Sequence, residues 1–388
     1  MNNSNLRPLK IGIVGANWTL AAHAPAWNML PGCQVTALCT AHEDTARAAA
    51  AQANIAKPYW DFRKMAEDPD LDVIVVGTPP ATRYDIVMTA LKNGKHVYNC
   101  LPFAIGSQRA RDMRDAQLAH KVVGVVDAQF RWIPAVRYMK DLIVQGYLGD
   151  MLQATIDVQL PLFGHDGFLY PSSAHSGVMK PYHWLADSKS GASAWRNFGS
   201  HAILNLIWLF GEVEEIVGGL RTTLKEWTLP TGHVLKPDTP DTAMALVKLR
   251  NGGFANINTG WCKADPMTYR LEAWGTKGRF LIEGKSFGDA PDTTIYYGDT
   301  RPRDFTRLSG DFLDIPARYF EVPGTALTKQ GCPQFIMPMA AMFSDMAMAI
   351  RTGREGSPSF SEATHAQEAV EAMVRSTQTR CWTKVGEA

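Results

Sequence analysis

Lys10-Ile11-Gly12-Ile13-Val14-Gly15-Ala16-Asn17-Trp18-Thr19-Leu20 is the stretch on which the reading of the chain turns. Ile11 to Val14 is short and apolar on both faces, as a central strand of a helix-covered parallel sheet must be. Gly15 follows where such a strand turns into a helix, and the backbone N–H groups of that turn can approach a pyrophosphate closely. Of the spacing G-x-G-x-x-G only the first glycine is kept. Asn17 and Leu20 take the second and third places, and Asn17 tolerates a left-handed backbone. A plain strand-to-helix turn and a phosphate cradle are both compatible with these residues.

Outward from this turn the pattern repeats. The apolar runs VTALC (35–39), VIVV (73–76), HVYN (96–99) and VVGVV (122–126) alternate with helical spacing in EDTARAAAAQANI from 43 and YDIVMTALKNG from 84. The second helical stretch ends in Lys92-Asn93-Gly94, a stop signal. The expected fold class is therefore α/β, opening with a doubly wound parallel sheet over residues 1–128 whose ligand lies beyond the carboxyl ends of the strands. At the end of the second strand, where NAD-binding chains carry an acid for the ribose 2′-hydroxyl, stands Thr40. Its hydroxyl does not repel a 2′-phosphate, and His42 or Arg47 offers a cation, so NADP is favoured over NAD. Thr40-Ala41-His42-Glu43 also fits a capping box for the next helix, and both readings stay open.

The chain has 388 residues, which suggests two domains, and Lys+Arg 39 against Asp+Glu 38 leaves a net charge of +1. No bulk field favours nucleic acid or an anionic membrane, so the expected partner is a small molecule. The longest apolar stretch, Ala202 to Phe210, is interrupted by Asn205 and is about half the length of a membrane span. The six cysteines form no C-x-x-C pair and no short-range Cys/His cluster, so reduced thiols, a cytoplasmic setting and no metal are expected.

Thr78-Pro79-Pro80, Gly94-Lys95-His96-Val97, Pro102 and Gly146-Tyr147-Leu148-Gly149-Asp150 occur in a fixed order, followed by Gly191, Gly199-Ser200-His201, Trp208 and Gly211. From about residue 10 to 285 this series resembles the glucose-fructose oxidoreductase/inositol dehydrogenase (Gfo/Idh/MocA) family. The resemblance implies a Rossmann domain that binds NADP or NAD. It also implies a second α/β domain, here 129–388, with an open, mostly antiparallel sheet that faces the nicotinamide and builds a homo-dimer or higher homo-oligomer. Alternating runs TAMALVKL (242), GGFANINTG (252) and TYRLEAWG (268) suit such a sheet. The C-terminal helices, read in MPMAAMFSDMAMAIRTG and SEATHAQEAVEAMVRSTQ, are expected to pack back on the first domain.

The family signature Glu-Lys-Pro is Cys100-Leu101-Pro102 here, so the lysine that serves the reacting oxygen is a leucine. In the second signature Asn197, Gly199, His201 and Leu204 stand where family members carry Asp, Gly, His and Asp. These departures resemble a side branch that includes the fungal galactose-regulon repressor, a dinucleotide-binding sensor. Expected catalytic residues are His201, with a near-neutral pKa, and Tyr182 or His183. The expected cofactor contacts follow the strand ends: Gly15, Asn17 and Trp18; Thr40 and His42; Thr78, Pro79 and Arg83; Cys100 and Leu101; and Gln129. Arg131, Trp132, Lys180 and Asn197 are the candidate substrate contacts. His165, Asp166, Tyr170 and His175 lie in a segment read as a lid or subunit arm. The function expected is hydride transfer between nicotinamide and a cyclic, sugar-like or ring-bearing alcohol or ketone. A catalytically silent sensor and a cofactor-assisted lyase are the alternatives.

Overall fold

The computed structural model describes residues 7–160, 183–228, 233–262, 268–284, 292–301, 310–329 and 336–387, together with two strands, Phe163–Gly164 (β8) and Gly167–Phe168 (β9). Lys180 and Tyr182, and the candidates at 165, 166, 170 and 175, lie outside the described residues.

Six parallel strands form the first sheet: β1 (Leu9–Val14), β2 (Cys33–Cys39), β3 (Lys57–Tyr59), β4 (Val73–Val76), β5 (His96–Asn99) and β6 (Gly124–Val126). Their order is β3-β2-β1-β4-β5-β6, so the chain reverses its direction of winding between β1 and β4 and leaves a crevice there. Every residue of β4 is buried, which the all-apolar run Val73–Val76 requires. Helix α1 (Ala24–Asn28) continues a wide turn of π geometry at Thr19–His23. Helices α2 (Glu43–Gln52), α3 (Phe62–Glu67), α4 (Pro80–Lys92) and α5 (Ser107–His120) follow the next strands. Pro80 opens α4 at a position where no N–H is needed, and the chain leaves it through Gly94 at φ +69°. The expected capping box at the start of α2 does not form. His42 is the N-cap residue and contributes no side-chain cap, while the Thr40 hydroxyl donates to the His42 carbonyl at 3.0 Å.

A 3-10 turn at Gln129–Trp132 and helix α6 (Pro134–Val144) lead into the second sheet. Its strands are β7 (Met151–Gln159), β10 (Val213–Arg221), β13 (Thr242–Leu249), β14 (Phe254–Gly260), β15 (Thr268–Gly275), β16 (Gly278–Gly284), β17 (Thr293–Asp299), β18 (Asp311–Leu313) and β19 (Thr383–Lys384). The order is β18-β17-β16-β15-β7-β14-β13-β10-β19, antiparallel throughout except for β7 beside β14. A small ladder, β11 (Trp227–Thr228) with β12 (Val234–Leu235), lies apart from it. Along β13, Ala243, Ala245, Val247 and Leu249 are buried while Met244 and Leu246 are exposed, the alternation of a sheet with one covered face.

Helix α7 (Ser200–Phe210) is buried almost all round, as its run SHAILNLIWLF dictates. Helix α8 (Ile336–Thr352) lies against α1, with Phe343 stacked on Trp27 at 4.4 Å. Helix α9 (Phe360–Thr379) starts in a reciprocal Ser359/Glu362 capping box and packs on α5, α7 and β10, so it belongs to both sheets. The Trp195 indole donates to the Val370 carbonyl of α9 at 3.0 Å.

Candidate functional site

Strand register assembles the site. Val14 pairs with Cys39 and with Val76, Val76 with Asn99, and Asn99 with Val126. The residues one step further on, Thr40, Gly15, Gly77, Cys100 and Asp127, therefore form a row along the carboxyl edge of the sheet. Above this row opens a cavity of about 600 Å³, within the range of small-molecule and cofactor sites. Its first wall is Gly15, Ala16, Asn17 and Trp18, with Thr45, Ala48, Ala49 and Gln52 of α2; its floor carries Thr78, Pro79, Arg83, Cys100, Leu101, Asp127 and Gln129. The opposite wall comes from the second unit: Leu160, Trp184, Leu185, Asn197, Phe198 and His201. Trp18 and Phe198 each sit at a stretch of π geometry, Thr19–His23 and Trp195–Gly199, a distortion that often marks functional sites.

Gly15 has φ +111°, and a Cβ there would come within 3.0 Å of the Gly77 carbonyl oxygen, so the turn keeps its backbone bare. The Thr19 hydroxyl donates to the Gly15 carbonyl at 2.8 Å and fixes the turn. Gln129 Oε1 and Asp127 Oδ1 are buried at the floor without a hydrogen-bond partner. A bare strand-to-helix turn, an apolar alanine wall and unpartnered acceptors facing one cleft fit a dinucleotide: phosphates at Gly15–Asn17, amide donors at the floor.

Arg83 is buried, and its guanidinium donates to three carbonyls, those of Thr78, Cys100 (2.6 Å) and Pro102 (2.7 Å). It lines the cleft and clamps the loops after β4 and β5 together. Around Asp127, which lines the cleft with Cys100 and Leu101, is a group that sequence reasoning missed. Asp127 Oδ2 is 3.7 Å from His23 Nε2, and Tyr98, Cys100 and Arg83 face the same carboxyl. Burial pushes Asp127 up to about 6, while Tyr98, Arg83 and Cys100 pull the other way. Burial, then the charge of Arg83, pushes His23 down to about 3, so the two groups are not an ion pair. The ligand atoms of His23, Cys100 and Asp127 lie within 4.8 Å of one another, a spacing a metal ion could bridge. The Arg83 guanidinium beside them disfavours a further cation. A search for short-range Cys/His spacing cannot see this cluster, because strand register aligns Cys100 with Asp127 and His23 comes from the turn after β1.

His201 does reach the cleft, stacked on Phe130 at 4.5 Å. The near-neutral pKa expected of it does not hold: burial pushes it down to about 3, and the ring is neutral at ordinary pH. Asn197 lines the same wall, its side-chain oxygen accepting from the Ser193 N–H at 3.3 Å. Arg131, expected to meet substrate, is outside the cleft lining and is held by the chain itself. It is 2 % exposed, and its guanidinium donates to Glu362 (2.9 Å), Ser357 (3.2 Å) and the Leu204 carbonyl (3.3 Å), which ties α9 and α7 to the domain junction. Trp132 lies outside the lining, under the Arg137 guanidinium. His183 is exposed beside His233 and outside the lining, which takes its neighbours Trp184 and Leu185 instead. Thr40 and His42 are not among the lining residues, though the Thr40 hydroxyl lies 2.7 Å from that of Thr45, which is.

Comparison with known proteins agrees with this architecture. Residues 9–130 match the profile of the oxidoreductase family with an NAD-binding Rossmann fold, and residues 136–281 match the GFO/IDH/MocA C-terminal domain. An uncharacterized oxidoreductase of Synechocystis is 25% identical over 72% of this chain and 73% of its own length. The levoglucosan dehydrogenase of Pseudarthrobacter phenanthrenivorans is 23% identical over 71% of this chain and 74% of its own. The galactose/lactose metabolism regulatory protein of Saccharomyces cerevisiae is also 23% identical, over 81% and 76%. Among solved structures, levoglucosan dehydrogenase in complex with NADH and L-sorbose superposes with a TM-score of 0.82 at 20% identity, covering 99% of this chain and all of that one. With the dinucleotide sheet, the second sheet closing over its carboxyl edge and both domain profiles matched in order, the chain belongs to the Gfo/Idh/MocA family of NAD(P)-binding oxidoreductases.

Proposed function

We propose that the protein is an NAD(P)-dependent oxidoreductase that moves a hydride between nicotinamide and a cyclic, sugar-like or ring-bearing alcohol or ketone. The observation that carries this reading is the single cleft in which Gly15–Trp18 and Cys100–Leu101 of the dinucleotide sheet face Asn197 and His201 of the second unit. A bound nicotinamide supplies the hydride acceptor or donor. The chain's own residues do the rest. Gly15 to Asn17 hold the phosphates, and Gln129 accepts from an amide at the floor. Leu101, Trp184, Leu185 and Phe198 give an apolar wall that excludes water and suits the face of a ring. His201, neutral, exchanges hydrogen bonds with a substrate hydroxyl, and Asn197 orients it.

Two further points belong to the same reading. A cytoplasmic setting is supported by the five described cysteines, all free thiols. Tyr182 and Lys180 are carried as substrate-side candidates on their place in the sequence, just before Trp184.

The second reading, a silent dinucleotide sensor, is favoured by one observation, the leucine that lines the cleft at 101. The deciding experiment is a panel of cyclic alcohols, glycosides and aromatic dihydrodiols offered with NAD⁺ and NADP⁺ while nicotinamide absorbance is followed. Reproducible reduction on any of them is expected and removes the sensor reading. Tight cofactor binding with no turnover anywhere on the panel would remove the enzyme.

A further inference from the structure

Oxidising an alcohol releases a proton as well as a hydride, and Leu101 has no group to take it. Among the described lining residues the ionisable side chains are Arg83, Cys100, Asp127 and His201. Arg83 keeps its proton and is committed to three carbonyls. Burial raises the Cys100 thiol well above its ordinary value and lowers His201 far below neutrality, so neither exchanges a proton readily near pH 7. Asp127 is left.

Its placement is the main argument. Register puts Asp127 level with Cys100 at the end of β6, and its own N–H donates to the Asn99 carbonyl at 2.9 Å. The carboxyl thus stands beside the position where the family carries its glutamate and next to the one where it carries its lysine. Every group facing it is identifiable: His23 from the turn after β1, Tyr98 and Cys100 from β5 and its end, and Arg83 from α4. One positive charge, an uncharged imidazole, a phenol and a thiol surround it, and Oδ1 has no partner. Such a setting keeps the charged and neutral forms close in free energy, as a proton-exchanging group requires.

We propose that Asp127 is the proton-exchanging residue of this cleft, in the place of the absent lysine. The inference rests on the reading of the site as a dehydrogenase cleft. In the oxidative direction the substrate C–H bond breaks with its electron pair going to the bound nicotinamide, and the O–H bond breaks with its proton going to the Asp127 carboxylate. The oxygen lone pair forms the C=O bond, and the neutral carboxyl then discharges its proton to solvent. Reduction runs the same transfers backwards. His201 on the opposite wall is then a positioning residue.

The test uses the whole chain as wild type, Asp127→Asn and Asp127→Glu, each first checked for folding by its melting curve. With ¹³C-labelled aspartate, one carboxyl is expected to titrate near pH 6 in the wild type, with and without NAD⁺, and to be missing from Asp127→Asn. Turnover of Asp127→Asn is expected to fall about 10²-fold or more with cofactor Kd within threefold, and Asp127→Glu to recover part of it. If Asp127→Asn does not fold, the wild-type titration and the glutamate variant decide. A carboxyl that stays charged from pH 5 to 8, an asparagine variant with turnover within threefold, or stoichiometric bound metal overturns the inference. If the wild type turns over nothing on the panel, the dehydrogenase reading fails by itself. A carboxyl that still titrates near pH 6 in the cofactor complex then supports the assignment of Asp127 as the cleft's exchangeable proton, and one that does not overturns it.

Discussion

His201 and Asp127 share one cleft, and burial moves them in opposite directions, because it penalises whichever form is charged. The consequences for stability are opposite too. His201 titrates near 6.5 when unfolded and about 3 when folded, so below pH 6.5 the unfolded chain binds more protons and stability falls as pH falls. For Asp127, raised to about 6, the folded chain binds more protons, and stability falls as pH rises through the interval from about 4 to 6. The histidine contribution amounts to about 3 kcal/mol between pH 7 and 4. His201→Phe, which keeps a ring against Phe130, is therefore expected to lose less stability over that interval than wild type, by about that amount. Urea unfolding at pH 7 and pH 4 measures it; equal losses in the two proteins would show that the imidazole is charged when folded. Thr40 makes a second case at this scale. Its hydroxyl bonds the His42 carbonyl and lies 2.7 Å from the Thr45 hydroxyl, and no carboxylate stands in its place. Arg47 is paired with Glu43 at 2.7 Å on the surface, a pair worth at most about 1 kcal/mol, so it can turn to a 2′-phosphate at little cost. NADP(H) is expected to bind at least as tightly as NAD(H). Fluorescence titration of both decides it, and a clear NAD preference would leave Thr40 as a loop-bracing residue alone.

At the level of elements, the clamp made by Arg83 shows how the cleft keeps its shape. One guanidinium on α4 holds the loops after β4 and β5, so the floor under Leu101 is set by a residue distant from it in sequence. Arg83→Leu removes a charge that Asp127 faces and leaves buried carbonyls without donors. The expected loss is about 3 to 5 kcal/mol of unfolding free energy, with cofactor affinity falling as well. Denaturant melts and cofactor titration test it, and a variant with unchanged affinity would show that the loops hold their places without the clamp. Strands β1, β2, β4 and β5 were legible because each is a short apolar run closed by a turn signal. Strand β6 starts later than VVGVV suggests, since the Val122 and Val123 N–H groups bond Gln117 and the His96 ring instead of extending the ladder at that end. Strand β3, Lys57–Tyr59, was not legible: it is an edge strand of three residues with a proline at its centre and no apolar run. His201 and Asn197 were singled out through the family pattern, and both line the cleft. That Arg131 is tied to Glu362 was not legible, because that partner lies on a helix from the far end of the chain. Asp127 was missed for the same reason, since only register places it beside Cys100.

Over the whole molecule, the second sheet has one face covered by α7 and α9 and one that is not. The uncovered face is divided in character. At one end Met244, Leu246 and Phe254 are exposed at 63%, 53% and 49%. In the middle Arg270 and Arg279 bracket Glu272, which is buried between them. At the other end Tyr296 meets Phe312, itself 57% exposed. Large apolar side chains exposed on one sheet face beside ordered ion pairs suit a self-complementary contact under a two-fold axis. We therefore expect a dimer or higher oligomer formed through this face. Light scattering at micromolar concentration should give at least twice the mass of one chain, and Leu246→Asp with Phe254→Asp should halve it while leaving the melting curve cooperative. The cleft opens on the other side of the second sheet, so the double variant is expected to bind cofactor as the wild type does. A wild type that scatters as a single chain would assign these side chains to the ordinary surface, and a double variant that stays assembled would place the interface on another face.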